Sequence, residues 1–341
     1  CLAMAWAKLL LRFRQQIVLR NLRKQFSNVP SGNDIWTIKA ALDWTVGYLA
    51  SKGDANARLS AEWLMAQATG LSRIELYVNF EKPLSMPERD VLRNYVARRA
   101  QGEPLQLISG VAPFRYLTVK VAPGVLIPRP ETEVLVSEAM AELHLPRVAD
   151  HVQLGEEGEE VISAQLPSVK VIDLCTGTGC IACSIASEYP AAKVVALDIA
   201  DEAVQLAQEN VVNFDLQERV EVRKSDLLEA LAEHEYGTFD LLVSNPPYIP
   251  TKVMETLDRE VVDFEPRLAL DGGSDGLDLV RKFLPDANRA LRRGGVLALE
   301  LFEDHMDKAA KLAQDAGFVD VHIAKDLTQR PRVLIAHTPS E

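Results

Sequence analysis

Val169-Lys-Val-Ile-Asp-Leu-Cys-Thr-Gly-Thr-Gly-Cys-Ile-Ala182 is the stretch on which the fold turns. An apolar run of strand length leads into a glycine-punctuated turn, and Cys180 opens a helix-like segment. Gly177 and Gly179 let the backbone approach a ligand closely, and the helix start offers N–H groups with no intrahelical partner. Written as Gly-x-Gly-x-x-Ala, the loop fits the relaxed dinucleotide fingerprint, and Asp198 ends the next strand 21 residues after Gly177. A carboxylate there can accept both ribose hydroxyls, which suits NAD and S-adenosylmethionine alike. The loop therefore implies an adenosine cofactor at the C-terminal edge of a parallel sheet. Asp173, at the strand end, is placed to face the cofactor's amino-acid part. Asp226, after the third strand, is placed near the adenine edge and reads equally well as a turn or N-cap acid.

Working outward, apolar strand-like and helix-like runs alternate from Val169 in the manner of a doubly layered α/β sheet. Strands are expected at Val169–Leu174, Lys193–Asp198, Val220–Lys224, Phe239–Ser244, Val296–Leu301, Val319–Ala324 and Val333–His337, with helices at Asp201–Asn213, Gly276–Leu291 and Glu303–Ala316. The last two strands flank a segment too short for a helical crossover, so they should pair antiparallel in a seven-stranded, mostly parallel, Rossmann-like sheet. Upstream, Ile35, Ile38, Leu42, Val46 and Leu49 recur at helical spacing, as do the apolar residues of Ala61–Ala68 and Val91–Ala100. From Leu105 to Ile127 short β-rich runs appear, with Tyr116–Val121 alternating as a strand, and Glu131–Leu145 is helical in pattern. The expected organisation is a basic extension over 1–33, a small helical domain over 34–104, a β-hairpin linker over 105–130 and an α/β domain over 131–341. Residues 150–160, with five acids and two glycines, read as a solvated loop.

The chain has 341 residues, 48% of them apolar, which is enough for a sizeable core in about two domains. Its 37 Lys and Arg against 49 Asp and Glu give a net charge of -12. Residues 1–33 hold six basic groups and no acid, which leaves 31 basic against 49 acidic groups, or -18, for residues 34–341. A body this acidic argues against capture of a nucleic-acid backbone. The basic start admits a transit peptide to a mitochondrion or other organelle, although its low serine content and lack of an initial Met fit that pattern poorly. The apolar stretch Leu2–Leu11 is too short to span a bilayer, so a cytoplasmic protein without a membrane partner is expected. Four cysteines do not make a disulfide framework. Cys175, Cys180 and Cys183 match an iron–sulfur spacing, but they read as small apolar residues at a tight strand–helix junction. The six histidines form no ligand motif, and no metal site is expected.

The sharpest chemical signal is Asn245-Pro246-Pro247-Tyr248 at the end of the fourth strand. Two prolines without N–H groups display carbonyl acceptors with no competing donors. The Asn side chain adds a carboxamide oxygen, and Tyr248 a flat stacking face. Such a site suits a planar –NH2 group: one N–H goes to the Asn245 oxygen, the other to the Pro246 carbonyl, and the nitrogen lone pair is aimed along one line. A methyl sulfonium carried by the neighbouring glycine loop would lie on that line, so catalysis would be mainly orientation.

On these residues the chain resembles the protein-(glutamine-N5) methyltransferases of peptide chain release factors, a group of class I S-adenosylmethionine-dependent methyltransferases. The likeness rests on Asp173-Leu-Cys-Thr-Gly-Thr-Gly179, Asp198, Ser244-Asn-Pro-Pro-Tyr-Ile249, Phe264-Glu-Pro-Arg-Leu-Ala-Leu270, Leu126-Ile-Pro-Arg-Pro-Glu-Thr-Glu133 and Gly70-Leu-Ser-Arg-Ile-Glu-Leu-Tyr77. It implies N-methylation of the glutamine in a release factor's Gly-Gly-Gln segment. Carried over by position, Asp173, Cys175, Thr176, Gly177, Thr178, Gly179, Asp198, Asp226, Leu227 and Asn245 bind the cofactor. Asn245, Pro246, Pro247 and Tyr248 hold the glutamine, with Asn245, Pro246 and Tyr248 catalytic. The partner is then a release factor docked through the helical domain and hairpin, nucleic acid is not bound directly, and a monomer is expected. Two positions depart from the pattern: Cys175 stands where the family often has Gly, and Leu227 where bacterial members commonly have an aromatic. The rivals are a ribosomal-protein glutamine methyltransferase, a nucleic-acid amino-group methyltransferase, an NAD-dependent dehydrogenase and a catalytically silent binding module.

Overall fold

Thr37, Ser72 and Ser85 each stand one residue before a helix and turn a side-chain oxygen back onto a free backbone N–H; at Ser72 and Ser85, Glu75 and Glu88 complete capping boxes. The computed structural model describes residues 36–145, 166–326 and 328–341, with the backbone of Val152–Leu154 and Glu160–Ile162. The basic extension 1–33 lies outside the described residues. Contacts divide the chain between Ser109 and Gly110 into two units.

The first unit packs α1 (Ile38–Ser51), α2 (Ala57–Thr69), α3 (Arg73–Val78), α4 (Met86–Arg99) and α5 (Leu105–Ser109) around Leu42, Leu49, Leu64, Met65 and Leu76. Residues 105–109, expected to begin the β-rich region, are helical. Ile108 joins the helical core, and the Arg98 guanidinium donates to the Leu107 and Ile108 carbonyls at the helix end. Buried Glu62 explains the Gly70–Tyr77 signature. Its carboxylate accepts from Arg58 at 2.6 Å, from Arg73 at 2.5 Å and from the Tyr77 hydroxyl at 2.5 Å. Burial opposes its ionisation, but these hydrogen bonds hold its carboxyl below the usual range.

The second unit opens with a hairpin, β1 (Val111–Phe114) and β2 (Leu117–Lys120), paired antiparallel. Arg115 at its tip donates to both Glu188 oxygens and to the Glu133 carbonyl. Those contacts make the hairpin part of this unit, where the sequence reading has it as a linker. After α6 (Pro130–Glu142), β3 (Val152–Leu154) lies inside the segment 150–160 expected to be a solvated loop and pairs antiparallel with β4 (Glu160–Ile162), which begins at the last residue of that segment. The sheet proper contains β5 (Val169–Leu174), β6 (Ala192–Asp198), β7 (Val220–Lys224), β8 (Phe239–Ser244), β9 (Leu291–Glu300), β10 (Val319–Lys325) and β11 (Pro331–His337). The longer helices between them are α7 (Cys180–Glu188), α8 (Asp201–Asn213), α9 (Asp278–Ala290) and α10 (Met306–Asp315).

The strand order is β10-β11-β9-β8-β5-β6-β7, parallel except at β11, which runs antiparallel to both β9 and β10. The fold is thus the expected α/β architecture with a seven-stranded, mostly parallel, Rossmann-like sheet. β9 begins five residues before the expected Val296, because a register irregularity takes in the Arg292–Gly295 turn before regular pairing resumes at Leu241 and Val296. One face of the sheet, through Ile172, Leu242, Leu299 and Leu334, packs on α9 and α10. The alternate residues, among them Val171, Val243, Ala298 and Ile335, face the other way, where α6 contacts β8, β9 and β11. β5 and β8 lie mid-sheet and side by side, so their C-terminal ends deliver the glycine loop and the Asn-Pro-Pro turn to one edge. Among the described residues no helix is long and apolar enough to cross a membrane.

Candidate active site

At that edge lies a cleft of about 660 Å³, within the usual range for a small-molecule site. Its walls come from the glycine loop, the end of β6, the turn after β7, the Asn-Pro-Pro turn, the stretch Gly124–Arg129 with Thr132, and residues 266–273.

The glycine loop is shaped by its own backbone and held by two polar side chains. Gly177 and Gly179 adopt positive φ, and a Cβ on Gly179 would lie 3.1 Å from that of Ala207, so only glycine lets α7 start this close to α8. Asp198 accepts the Gly177 N–H at 2.9 Å and the Ala200 N–H at 3.0 Å, which ties the carboxylate at the end of β6 to the loop. Burial pushes its pKa up. Asn210 on α8, fully buried, exchanges hydrogen bonds with the Lys120 backbone and donates to the Thr178 carbonyl, clamping β2 and the glycine loop together. Asn210 was not nominated from sequence, since its partners lie 32 and 90 residues away.

Asp173 is fully enclosed and does not line the cleft. Its Oδ2 accepts from the Thr176 hydroxyl at 2.5 Å and the Ala182 N–H at 3.1 Å, so it holds the loop to the first turn of α7. Its Oδ1 is buried with no partner, and burial pushes the carboxyl up to about 7. This corrects the expectation that Asp173 faces the cofactor directly.

Cys175, Thr176, Gly177, Thr178, Asp198, Asp226, Leu227, Asn245 and Pro247 all line the cleft. Gly179, Pro246 and Tyr248 do not. Cys175 and Leu227 both sit in the left-handed region, with φ of 62° and 53°. Asp226 forms a bidentate pair with Lys282 at 3.0 Å and is an exposed surface acid at the cleft margin. The thiols of Cys175, Cys180 and Cys183 are free and are pushed up by burial, Cys180 to about 12. Among the described residues no three His, Cys, Asp or Glu side chains are grouped to hold a metal ion.

Asn245 is held from a direction that the sequence did not reveal. Its Nδ2 donates to the Thr132 hydroxyl at 3.1 Å. With the nitrogen so engaged, the carboxamide oxygen is left as an acceptor beside the cleft. Thr132 belongs to the Leu126–Glu133 signature, and Arg129 of the same segment pairs at 2.5 Å with Glu265 of the Phe264–Leu270 signature. Burial raises the pKa of Glu265, against the opposing pull of Arg129. The two sequence signatures are therefore one bridged wall.

Behind the Asn-Pro-Pro turn, Asp271-Gly-Gly-Ser-Asp-Gly276 makes a backing strip. The Ile249 N–H donates to the Leu270 carbonyl at 2.9 Å, and the Gly272 N–H donates to the Ile249 carbonyl at 2.8 Å. A Cβ on Gly272 would stand 2.7 Å from the Pro247 carbonyl oxygen, and one on Gly276 2.3 Å from that of Tyr248. The three glycines were a visible signal that something packs here. The Tyr248 ring packs against the apolar cluster of α9 and α10, and burial raises its hydroxyl pKa. It anchors the turn from beneath, where the sequence reading has it as a stacking face in the cleft.

Comparison with known proteins agrees with this geometry. The PrmC N-terminal domain family matches residues 40–110, and the methyltransferase small domain family matches residues 157–263. A release factor glutamine methyltransferase of Geobacter sulfurreducens is 44% identical over 301 residues, covering 88% of this chain and 96% of that protein. Proteins of the same name from Rhodopirellula baltica and Chlorobaculum tepidum are 37% and 38% identical, covering 89% and 88% of this chain and 97% of each relative. Likeness at this level across both units, with the glycine loop and the Asn-Pro-Pro-Tyr turn set at one sheet edge, makes the chain a member of the release factor glutamine methyltransferase family.

Proposed function

We propose that this protein transfers a methyl group from S-adenosylmethionine to the side-chain amide nitrogen of the glutamine in a release factor's Gly-Gly-Gln segment. The relatives' names supply the substrate class, and the observation that carries the chemistry is the Asn245 carboxamide, tied through Nδ2 to Thr132 beside the cleft.

The residues present fit the cofactor. Asp198 would take the ribose hydroxyls and the apolar sides of Ile199 and Leu227 the adenine, while Asp173, enclosed behind the loop, would hold the loop in shape. When bound, S-adenosylmethionine supplies an electrophilic methyl on a sulfonium sulfur.

Asn245 Oδ1 accepts one amide hydrogen of the glutamine, and a backbone carbonyl of the Asn-Pro-Pro turn accepts the other. Holding both hydrogens turns the nitrogen lone pair toward the glycine loop and favours its pyramidal, reactive form. With the cofactor bound, methyl transfer would form the N–C bond as the S–C bond breaks, and the proton released from nitrogen would pass to a backbone carbonyl or water. No strong base is needed, because the N-methylated cation is acidic. Orientation carries the rate, and a misplacement of about 1 Å costs on the order of 100-fold.

Incubation with labelled S-adenosylmethionine and either a release factor or ribosomal subunits tests the substrate: label is expected on the release factor, and label confined to a ribosomal protein overturns the reading. Asn245→Ala is expected to lower methyl transfer at least about 100-fold with cofactor affinity retained. Full activity in that variant removes Asn245 from the chemistry.

A further inference from the structure

We propose that Glu300 and Thr132 form a positioning relay that fixes which way the Asn245 carboxamide points. The inference rests on the proposed methyl transfer for its consequence and on geometry for its existence. Glu300 is the last residue of β9 and Thr132 lies in the first turn of α6; they are 1% and 3% exposed, so water does not compete for either. The Thr132 hydroxyl accepts from Asn245 Nδ2 at 3.1 Å, and its nearness favours the ionised form of the buried Glu300 carboxylate.

A hydroxyl has one proton to donate. An ionised Glu300 can only accept, so the Thr132 proton goes to Glu300 and a Thr132 lone pair faces Asn245. Only the carboxamide NH2 can answer that lone pair; the flipped carboxamide would set oxygen against oxygen. Asn245 Oδ1 is thereby kept for the incoming amide. A protonated Glu300 can donate to Thr132 instead, which frees the Thr132 proton for Asn245 Oδ1 and makes both orientations possible.

The balance between these states falls near neutrality. Burial pushes the Glu300 carboxyl up to about 7. Thr132, Arg332 on β11 and Arg129 before α6 favour its ionised form, and Glu131 opposes it. Neighbouring Tyr248 and Cys180 feel its charge but stay neutral, and Glu300 Oε2 has no partner.

The test compares wild type, Thr132→Val, Thr132→Ser and Glu300→Gln in methyl transfer and cofactor titration. Thr132→Val is expected to lower kcat by about 10- to 100-fold with cofactor affinity within about twofold, and Thr132→Ser to recover most of kcat. Wild-type kcat should fall as pH drops through about 7, and Glu300→Gln should lose that limb. A Thr132→Val enzyme with wild-type kcat, or a Glu300→Gln enzyme that keeps the limb, overturns the relay. A second readout needs no substrate. The Asn245 side-chain amide NMR signals, assigned by their absence in Asn245→Ala, should titrate near pH 7 in wild type and not in Glu300→Gln. Signals that ignore pH in wild type overturn the relay, whereas inactivity of the wild type on a release factor, with those signals titrating, overturns only the substrate reading.

Discussion

At Cys175 the backbone is left-handed, with a φ of 62°, and a side chain there is tolerated because it is small and unbranched. Cys175→Gly should leave stability within about 1 kcal/mol of wild type, since relief of strain offsets the freedom gained by the unfolded chain. Cys175→Val should lower it by about 1–3 kcal/mol, because β-branching conflicts with positive φ. Denaturant melts of the two variants check this, and a stable Val variant contradicts it. The buried carboxyls give a second consequence at this scale. Asp173 and Glu300 are raised to about 7 in the folded protein. The unfolded chain therefore releases these protons first, and stability is lost as pH rises from above the ordinary carboxylate range through about 7. The Tm of the cofactor-free protein is expected to drop between about pH 5 and pH 8, and Asp173→Asn should flatten that drop. An unchanged slope in the variant assigns it elsewhere. Residues nominated from local spacing, such as Gly177, Asp198 and Asn245, do line the cleft. Thr132 was not nominated, because it acts on Asn245 across 113 residues, and nothing in its own neighbourhood names that partner.

Among the elements, the Asn-Pro-Pro turn depends on the strip behind it as much as on its own prolines. Gly276→Ala would drive a Cβ to 2.3 Å from the Tyr248 carbonyl oxygen at a φ of 80°, so the turn or the strip must move. The expected result is destabilisation of more than about 1 kcal/mol together with a loss of kcat of about 100-fold. A variant that melts earlier but turns over normally would show that the strip only supports the fold. Strand positions were readable because the central parallel strands β5 and β8 are apolar on both faces and the edge strand β7 begins with an apolar–polar alternation, and all three fall where the pattern puts them. The α5 helix was misread as β-rich, since five residues carry too little periodicity to distinguish the two and burial against neighbouring helices decides.

The whole molecule sets a helical unit over described residues 36–109 beside an α/β unit over 110–341 in sequence, with the hairpin belonging to the second. The acidity of residues 34–341 accords with a protein substrate in place of a polyanion. One measurement bears on the account most directly: mass spectrometry of a release factor before and after incubation with this protein and S-adenosylmethionine. The account predicts a gain of one methyl on the Gly-Gly-Gln glutamine, absent with Asn245→Ala. An unmodified glutamine after incubation with a folded, cofactor-binding enzyme, or a methyl placed on another residue, would contradict it.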